Sequence, residues 1–285
     1  MKWERARRSR NVEDRRGRRV AAGGGIGLAG LGLVIVIGLL LGKNPVELLG
    51  LVQQLEQGGS PSARGPASPP DPESRAFIEA ILGETEDVWS ELFAARGARY
   101  PAPTLVLFSG AVQSACGRAS SAMGPFYCPA DQQVYIDTSF FDQMERRLGG
   151  GGDFAEAYVI AHEVGHHVQT VTGTIDVVHR ARRRGENVEG AEGLLVRQEL
   201  QADCYAGVWG YRAQQRHQWL EPGDIDEALN TASAIGDDHL QRQSRGTVVP
   251  DSFTHGTAEQ RVRWFRRGFE SGDPARCDTF DADRL

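Results

Sequence analysis

Two histidines and a glutamate, His162, Glu163 and His166, have the types and the spacing of a metal centre that performs chemistry. On an α-helix, residues four apart project from the same face, so both imidazoles can reach one metal ion at about 2.0–2.1 Å. This geometry suits zinc. Glu163 is offset by one residue, so its carboxylate reaches a water at the metal and can act as a general base. The pattern H-E-x-x-H therefore predicts a hydrolytic zinc site.

The residues around this pattern predict the helix that the site requires. Ile160, Val164, Val168 and Val171 recur at helical spacing and form an apolar stripe. Asp153 follows four glycines and is a natural N-cap, so we expect a helix between it and Val171. Burying this cluster of histidines and a carboxylate without a function would be costly, which favours metal binding over packing.

A zinc site needs a third protein ligand, and a catalytic site leaves the fourth position to water. Gln169 and Thr172 occupy the places where the metzincin pattern requires Gly and His, so that pattern is absent. Asp176, in a G-T-x-D segment, is one remaining candidate. Glu199 is the other, and Asp203, one helical turn later, can accept the N–H of a ligating histidine and fix its tautomer. Of the two candidates we favour Glu199.

Three segments of the chain together resemble the bacterial membrane-anchored neutral zinc metallopeptidases. They are HEVGHHVQ at 162–169, RQELQADCYAGVW at 197–209 and FTHGTAEQRVRWF at 253–265. The E-x-x-A-D element at 199–203 is similar to that of gluzincin membrane proteases of the prenyl-protein-protease type, which implies Glu199 as the third ligand. The resemblance runs from roughly residue 74 to the C-terminus. It implies a zinc cofactor and peptide or protein substrates, but not their identity.

The rest of the chain predicts an α+β fold, a mostly helical zincin-like metallopeptidase domain with a small β-sheet. We expect helices at about 73–95, 188–214, 224–242 and 258–270, and strands at Thr104–Phe108 and Gln133–Asp137. Because zincin folds often hold the substrate backbone against a strand near the active-site helix, the second strand is a candidate for that role. An ordinary sheet strand is the alternative.

Two groups of polar residues late in the chain are further candidate site residues. His255 lies in a Ser-Phe-Thr-His-Gly loop just before a helix, where an imidazole can stabilise the oxyanion of a tetrahedral intermediate. A structural role for His255 is the alternative. Asp237, Asp238 and His239 are candidates for a second metal site, although adjacent acidic residues usually face solvent or cap a helix.

The first 73 residues predict a membrane anchor and a linker. Residues 1–19 carry nine basic and three acidic side chains, a net +6, and residues 20–42 carry no charge over a length that spans a bilayer core. No small-residue cleavage site follows, which disfavours a signal peptide. The positive-inside rule then predicts a cytoplasmic tail at 1–19, a single span through the bacterial cell membrane at 20–42, a linker at 43–73 and an extracytoplasmic zinc metallopeptidase domain at 74–285.

Charge and cysteine content agree with an exported domain. The chain carries −6 in total, and residues 1–43 carry +7, so the remainder carries −13 and nucleic acid is not an expected partner. Four cysteines suggest two disulfides in an oxidising compartment, with three possible connectivities. The short loop between Cys116 and Cys128 favours that pair, which leaves Cys204 with Cys277.

The sequence thus predicts a zinc peptidase that contacts a lipid bilayer through residues 20–42. Two other functions stay open: a tethered envelope binding or assembly module with a structural zinc, and a zinc amidase that acts on cell-wall peptides. Glu163 disfavours the binding module, because a purely structural site needs no base beside its first ligand. It does not discriminate against the amidase, since the zinc and the base would be the same.

Overall fold

The structure, a computed structural model, describes residues 1–17, 72–148 and 151–285, and this part of the chain contains eight α-helices and six β-strands. The strands are β1 (Val12–Asp14), β2 (Thr104–Phe108), β3 (Ala111–Ser114), β4 (Gly117–Ser120), β5 (Phe126–Cys128) and β6 (Gln133–Asp137). The helices are α1 (Pro72–Ala94), α2 (Ser139–Gln143), α3 (Asp153–Val171), α4 (Asp176–Arg183), α5 (Leu194–His217), α6 (Asp224–Ala234), α7 (Asp237–Arg245) and α8 (Ala258–Ser271). The fold is the mostly helical α+β arrangement with a small sheet that the sequence predicts.

A four-stranded sheet with the order β1-β2-β6-β5 supports one side of the helices. The first three strands are parallel, and β5 runs antiparallel to β6. Leu105 and Leu107 of β2 pack into the helical core, whereas Val106 and Phe108 pack into a second apolar cluster that includes the β3–β4 hairpin. Both faces of β2 are therefore buried, which explains its continuous apolar sequence.

The order of the strands decides which of them can bind an extended peptide. Strand β6 is hydrogen-bonded to β2 on one side and to β5 on the other. Of the two alternatives for β6, Gln133–Asp137, the structure favours the ordinary sheet strand, because β2 covers one edge along its whole length and β5 covers the other along 133–135. Strand β5 contacts α3 and forms one edge of this sheet, where β6 is its one neighbour among the described strands. A segment of three residues shows no clear periodicity, so the sequence does not predict this strand.

Glycines allow three helices, α3, α5 and α8, to approach one another closely. Gly165 of α3 faces Ala202 of α5, where an added Cβ would lie 3.0 Å from the Ala202 Cα. Gly207 of α5 and Gly268 of α8 cross, and a Cβ on either would clash with a backbone carbonyl of the opposite helix. Only glycine permits backbones to come so near. These contacts set α3, α5 and α8 side by side.

Glycine also explains two helix boundaries that differ from the sequence prediction. Helix α5 begins at Leu194 rather than at 188, because Gly190 has a φ of +111° and interrupts the preceding segment. The predicted helix at 224–242 is two helices, α6 and α7, separated at Gly236. A Cβ at Gly236 would clash with the backbone of Ala258, so the chain bends where it meets the start of α8.

Residues 1–17 belong to the same folded unit as the helices and do not form a separate tail. Strand β1 pairs in parallel with β2, and the backbone of Lys2 donates a hydrogen bond to Trp219. Trp3 is buried and packs edge-on against Phe77 at a ring distance of 5.4 Å. A domain that begins at residue 74, as the sequence analysis predicts, lacks one strand and part of the core.

This packing also corrects the predicted membrane topology. Because β1 is hydrogen-bonded to β2, the described residues 1–17, 72–148 and 151–285 belong to one folded unit. A single span at 20–42, with a cytoplasmic tail at 1–19 and a domain on the other side, would separate these two strands. The span itself, and the linker at 43–73 except its last two residues, lie outside the described residues. In the ranges that the structure describes, no helix has both the length and the apolar composition that a membrane crossing requires.

Both predicted disulfides are present. Cys116 is bonded to Cys128, and Cys204 of α5 is bonded to Cys277 in the C-terminal segment, so no cysteine is free. The second bond closes a separation of 73 residues and fastens the segment after α8 to α5. A cross-link of that span restricts the unfolded chain strongly and supports the α5–α8 packing.

Candidate metal centre

His162, His166 and Glu199 converge at one point between α3 and α5. Nε2 of His162 lies 3.3 Å from one carboxylate oxygen of Glu199, and Nε2 of His166 lies 3.4 Å from the other. All three ligand atoms lie within 4.8 Å of one another. Two atoms bound at 2.0–2.1 Å to one tetrahedral zinc ion would be about 3.3–3.4 Å apart, so this set of residues fits the ion.

Hydrogen bonds on the far side of each imidazole turn both Nε2 atoms toward this point. Nδ1 of His162 lies 2.8 Å from Asp203, and Nδ1 of His166 lies 2.9 Å from the side-chain oxygen of Gln169. An acceptor at Nδ1 holds a proton there and leaves the Nε2 lone pair for a metal. Asp203 takes the position that the sequence predicts, whereas Gln169 was missed, although it lies three residues after His166 on the same helix.

The Asp203 carboxylate is part of a buried network that joins three helices. Arg261 of α8 donates to both of its oxygens at 2.9 Å, and the Tyr158 hydroxyl of α3 donates to one of them at 2.6 Å. Burial raises the pKa of Asp203, but Arg261 and His162 outweigh it and lower the pKa below its usual value. Asp203 is therefore an anion that orients His162, and sequence reasoning did not identify its partners Tyr158 and Arg261.

The electrostatic field at the three ligands favours a cation. Burial opposes the charged form of His162, yet Asp203 and Glu199 outweigh it and raise its pKa to about 10. Burial likewise opposes the anion at Glu199, but His166 and His162 hold its pKa well below the usual range. Protons on the imidazoles and a metal ion thus compete for one place, as expected for a site whose ligands must lose protons to bind metal.

Glu163 lies beside this centre with its carboxylate in an open cleft. The residue is 8% exposed, and within the described part of the chain no group hydrogen-bonds to its carboxylate. Burial raises the pKa of Glu163, although His162 and His166 act in the opposite direction. A carboxylate that is free of partners and has a raised pKa is suited to accept and return a proton near neutrality.

His255 lines the same cleft and is held by Asp237. Its side chain is 53% exposed, and its Nδ1 lies 2.8 Å from the Thr254 hydroxyl and 3.4 Å from Asp237. The other oxygen of Asp237 accepts backbone N–H bonds from Thr254, His255 and Gly256 at 2.6–3.1 Å. Three such bonds fix the loop, so His255 presents its remaining nitrogen from a rigid position.

These bonds also account for the residues that were candidates for a second metal site. Asp237 accepts the backbone hydrogen bonds of the His255 loop, and Asp238 accepts the backbone N–H of Ala258 at 2.8 Å. Within the described residues, only His162, His166 and Glu199 form a group that could hold a metal. Asp176 is exposed at the start of α4 and is not part of that group. The structure therefore does not support Asp237, Asp238, His239 or Asp176 as metal ligands.

The cleft that contains Glu163 and His255 has a volume of about 580 Å³. Phe126 and Tyr127 of β5 form one wall, and Val178 of α4 and Leu195 of α5 contribute to the lining. A cleft lined mainly by apolar groups, with a few converging polar ones, has the character of a binding site.

Comparison with known proteins agrees with this geometry. The family described as "Putative neutral zinc metallopeptidase" matches residues 1–280, which include β1. The chain is similar to the uncharacterized protein YpfJ of Escherichia coli strain K12, with 50% identity over 287 residues that cover 98% of this chain and 99% of the relative. It is also similar to the uncharacterized protein Rv2575 of Mycobacterium tuberculosis strain H37Rv, with 45% identity over 218 residues, 73% of this chain and 71% of the relative. No solved structure gives a significant match.

Proposed function

Because this chain belongs to the family described as "Putative neutral zinc metallopeptidase", we propose that it is a zinc-dependent peptidase with one ion held by His162, His166 and Glu199. The observation that carries the proposal is the free carboxylate of Glu163 beside these ligands in an open cleft. A structural zinc site is normally closed by four protein ligands, whereas three ligands and an adjacent base belong to a catalytic site. This favours hydrolysis over a binding module with a structural zinc.

Zinc bound there supplies a Lewis acid that polarises the substrate carbonyl and lowers the pKa of water. Glu163 accepts the proton of the attacking water and then donates it to the leaving amine nitrogen. Burial opposes the protonated form of His255, but Asp237 and Glu199 outweigh it and raise its pKa. Nε2 of His255 then donates a hydrogen bond to the oxyanion of the tetrahedral intermediate.

We place the substrate along β5 in an extended conformation. Among the described strands, β6 is the one hydrogen-bonded neighbour of β5, whose residues Phe126 and Tyr127 line the cleft. An extended peptide can add to such an edge through main-chain hydrogen bonds while its side chains enter apolar pockets. Extended binding accommodates residues on both sides of the scissile bond, which is the geometry of an endopeptidase.

The two disulfides support an extracytoplasmic location for the domain, because disulfides persist in oxidising compartments. Thiol labelling of unreduced protein taken from cells tests this, and we expect no labelled cysteine. Four labelled thiols would contradict it.

The function is tested with the full-length chain, because residues 1–17 are part of the fold. Zinc-loaded wild type and Glu163→Gln are compared on a mixed peptide library by mass spectrometry, and zinc content is measured in parallel. We expect cleavage by the wild type alone, with equal zinc in both proteins. Equal cleavage by both would contradict the role of Glu163, and cleavage of cell-wall peptides alone would favour the amidase.

A further inference from the structure

Helix α4 forms a wall of the cleft. One of its faces is buried against α5, and a neighbouring face lines the cleft. Val178 and Ala181 are buried against the start of α5 and fix the helix in place. His179 and Arg182 each follow one of these residues by one position, so they share a neighbouring face of the helix. Both line the cleft, and Arg182 is exposed to solvent.

Among the arginines that line the cleft within the described residues, Arg182 is the one whose guanidinium has no protein partner. Four side chains of the lining carry a formal charge, and of these Glu163 and Glu199 belong to the metal centre. Arg261 is 3% exposed and is occupied by Asp203 and Tyr158. The side chain of Arg182 makes no hydrogen bond or ion pair within the described ranges, unlike that of Arg184, which pairs with Glu186.

We propose that Arg182 is a specificity-determining residue that selects peptides with a carboxylate a few residues from the scissile bond. The inference rests on the proposed peptidase function and names the substrate class of that site. A guanidinium binds a carboxylate through two parallel hydrogen bonds, which the apolar walls of the cleft do not offer. The carboxylate belongs either to an Asp or Glu side chain or to the C-terminus of the peptide.

The expected selectivity is moderate, because Arg182 is exposed. Ion pairs at exposed sites contribute little, and salt screens them. We expect a preference of about two- to fivefold for a peptide with Glu over its counterpart with Gln at the selected position. The preference decreases in 0.5 M sodium chloride, whereas contacts in the apolar part of the cleft do not weaken in this way.

The experiment uses full-length zinc-loaded protein and apolar peptides that carry Glu, Gln or Lys at one scanned position. One series is blocked at both ends, and a second has a free C-terminal carboxylate. The kcat/KM of each peptide is measured for wild type, Arg182→Ala, Arg182→Glu and Arg183→Glu. Arg183 is the matched control, since it is exposed on the same helix but does not line the cleft.

We expect the wild type and Arg183→Glu to prefer Glu, Arg182→Ala to lose the preference and Arg182→Glu to prefer Lys. A preference in the blocked series identifies a side-chain carboxylate, and one confined to the free series identifies the C-terminus. An equal preference in wild type and Arg182→Ala, or an equal loss in Arg183→Glu, overturns the proposal.

Binding of fluorescent peptides to Glu163→Gln, measured by anisotropy, separates this inference from the proposed function. Selective binding that depends on Arg182 but without cleavage by wild type would support the inference and contradict the peptidase function. Cleavage by wild type without a preference for carboxylates would support the peptidase function and contradict the inference, and binding without that preference would contradict the inference alone.

Discussion

The carboxylate of Asp203 lies 2.8 Å from Nδ1 of His162 and thereby connects a metal ligand to a buried ion pair. The same carboxylate receives two hydrogen bonds from Arg261, which is 3% exposed. One residue of α5 thus orients an imidazole of α3 and neutralises a guanidinium of α8. Metal affinity and fold stability are coupled at this position.

Asp203→Asn tests that coupling. The amide weakens the bond that orients His162, and losses of this kind lower metal affinity by roughly 10- to 100-fold. It also leaves the Arg261 charge buried without a counter-ion, which costs about 3–5 kcal/mol of unfolding free energy. Competition with a zinc chelator measures the affinity, and urea unfolding measures the stability.

The double variant Asp203→Asn/Arg261→Met is the control for this prediction. Removing the unpaired charge restores part of the stability but not the orientation of His162. Unchanged zinc affinity in both variants would contradict the role of Asp203.

Glu163→Gln separates catalysis from metal binding. The substitution preserves shape and removes the base, so zinc content stays at about one per chain while kcat falls by about 10²- to 10⁴-fold. His162→Ala is the matched control, because it removes a ligand and the metal together. Loss of zinc from Glu163→Gln would show that Glu163 is itself a ligand.

His255→Ala is expected to lower kcat by about 100- to 1000-fold with zinc content unchanged, because it removes a donor to the oxyanion. Asp237→Asn is expected to give a smaller loss, since the loop keeps an acceptor for its backbone N–H groups but His255 loses a charged partner. Steady-state kinetics at constant zinc decides this. An unchanged kcat in His255→Ala would indicate that the residue is structural.

Trp3→Ala tests whether the N-terminal segment belongs to the domain. Loss of a buried Trp side chain costs about 3–5 kcal/mol, so we expect a large decrease in the melting temperature of the full-length protein. Arg10→Ala, an exposed change in the same segment, is the control and is expected to have no effect. Equal melting temperatures for the two variants would exclude the packing of Trp3 on Phe77.

Glu156 gives a pH dependence with a defined sign. Burial, followed by Asp153, Asp142 and Glu145, raises the pKa of Glu156 to about 7 in the folded protein, above its unfolded value. The ionised form therefore destabilises the fold above pH 7, and this penalty disappears as the pH falls toward the unfolded pKa. Since the side chain is partly exposed, we expect Glu156→Gln to be more stable by about 1–2 kcal/mol at pH 8.

Thermal unfolding from pH 5 to pH 8 measures this effect. The stabilities of wild type and Glu156→Gln converge near pH 5, and the exposed control Glu4→Gln follows the wild type throughout. A constant difference between Glu156→Gln and wild type at all pH values would contradict the assignment.

Local spacing was sufficient to predict the centre of the site. The helix at Asp153–Val171 and the common face of His162 and His166 follow from helical periodicity, which depends only on neighbours in the chain, although Gly152 rather than the predicted Asp153 is the N-cap. The choice of Glu199 over Asp176 needed the additional E-x-x-A-D pattern, and both the choice and the two cysteine pairs agree with the structure. These features were predictable because each is encoded within a short segment or a small number of pairings.

Contacts between distant segments were decided only by the tertiary structure. The pairing of β1 with β2 joins residues about ninety positions apart, and a count of arginines around an apolar stretch contains no information about it. The same holds for Arg261 on Asp203, for β5 as the edge strand beside the cleft, and for the bend at Gly236. Each depends on which surfaces meet when the helices pack, and close packing selects those partners through the combined shape of residues that are far apart in the sequence.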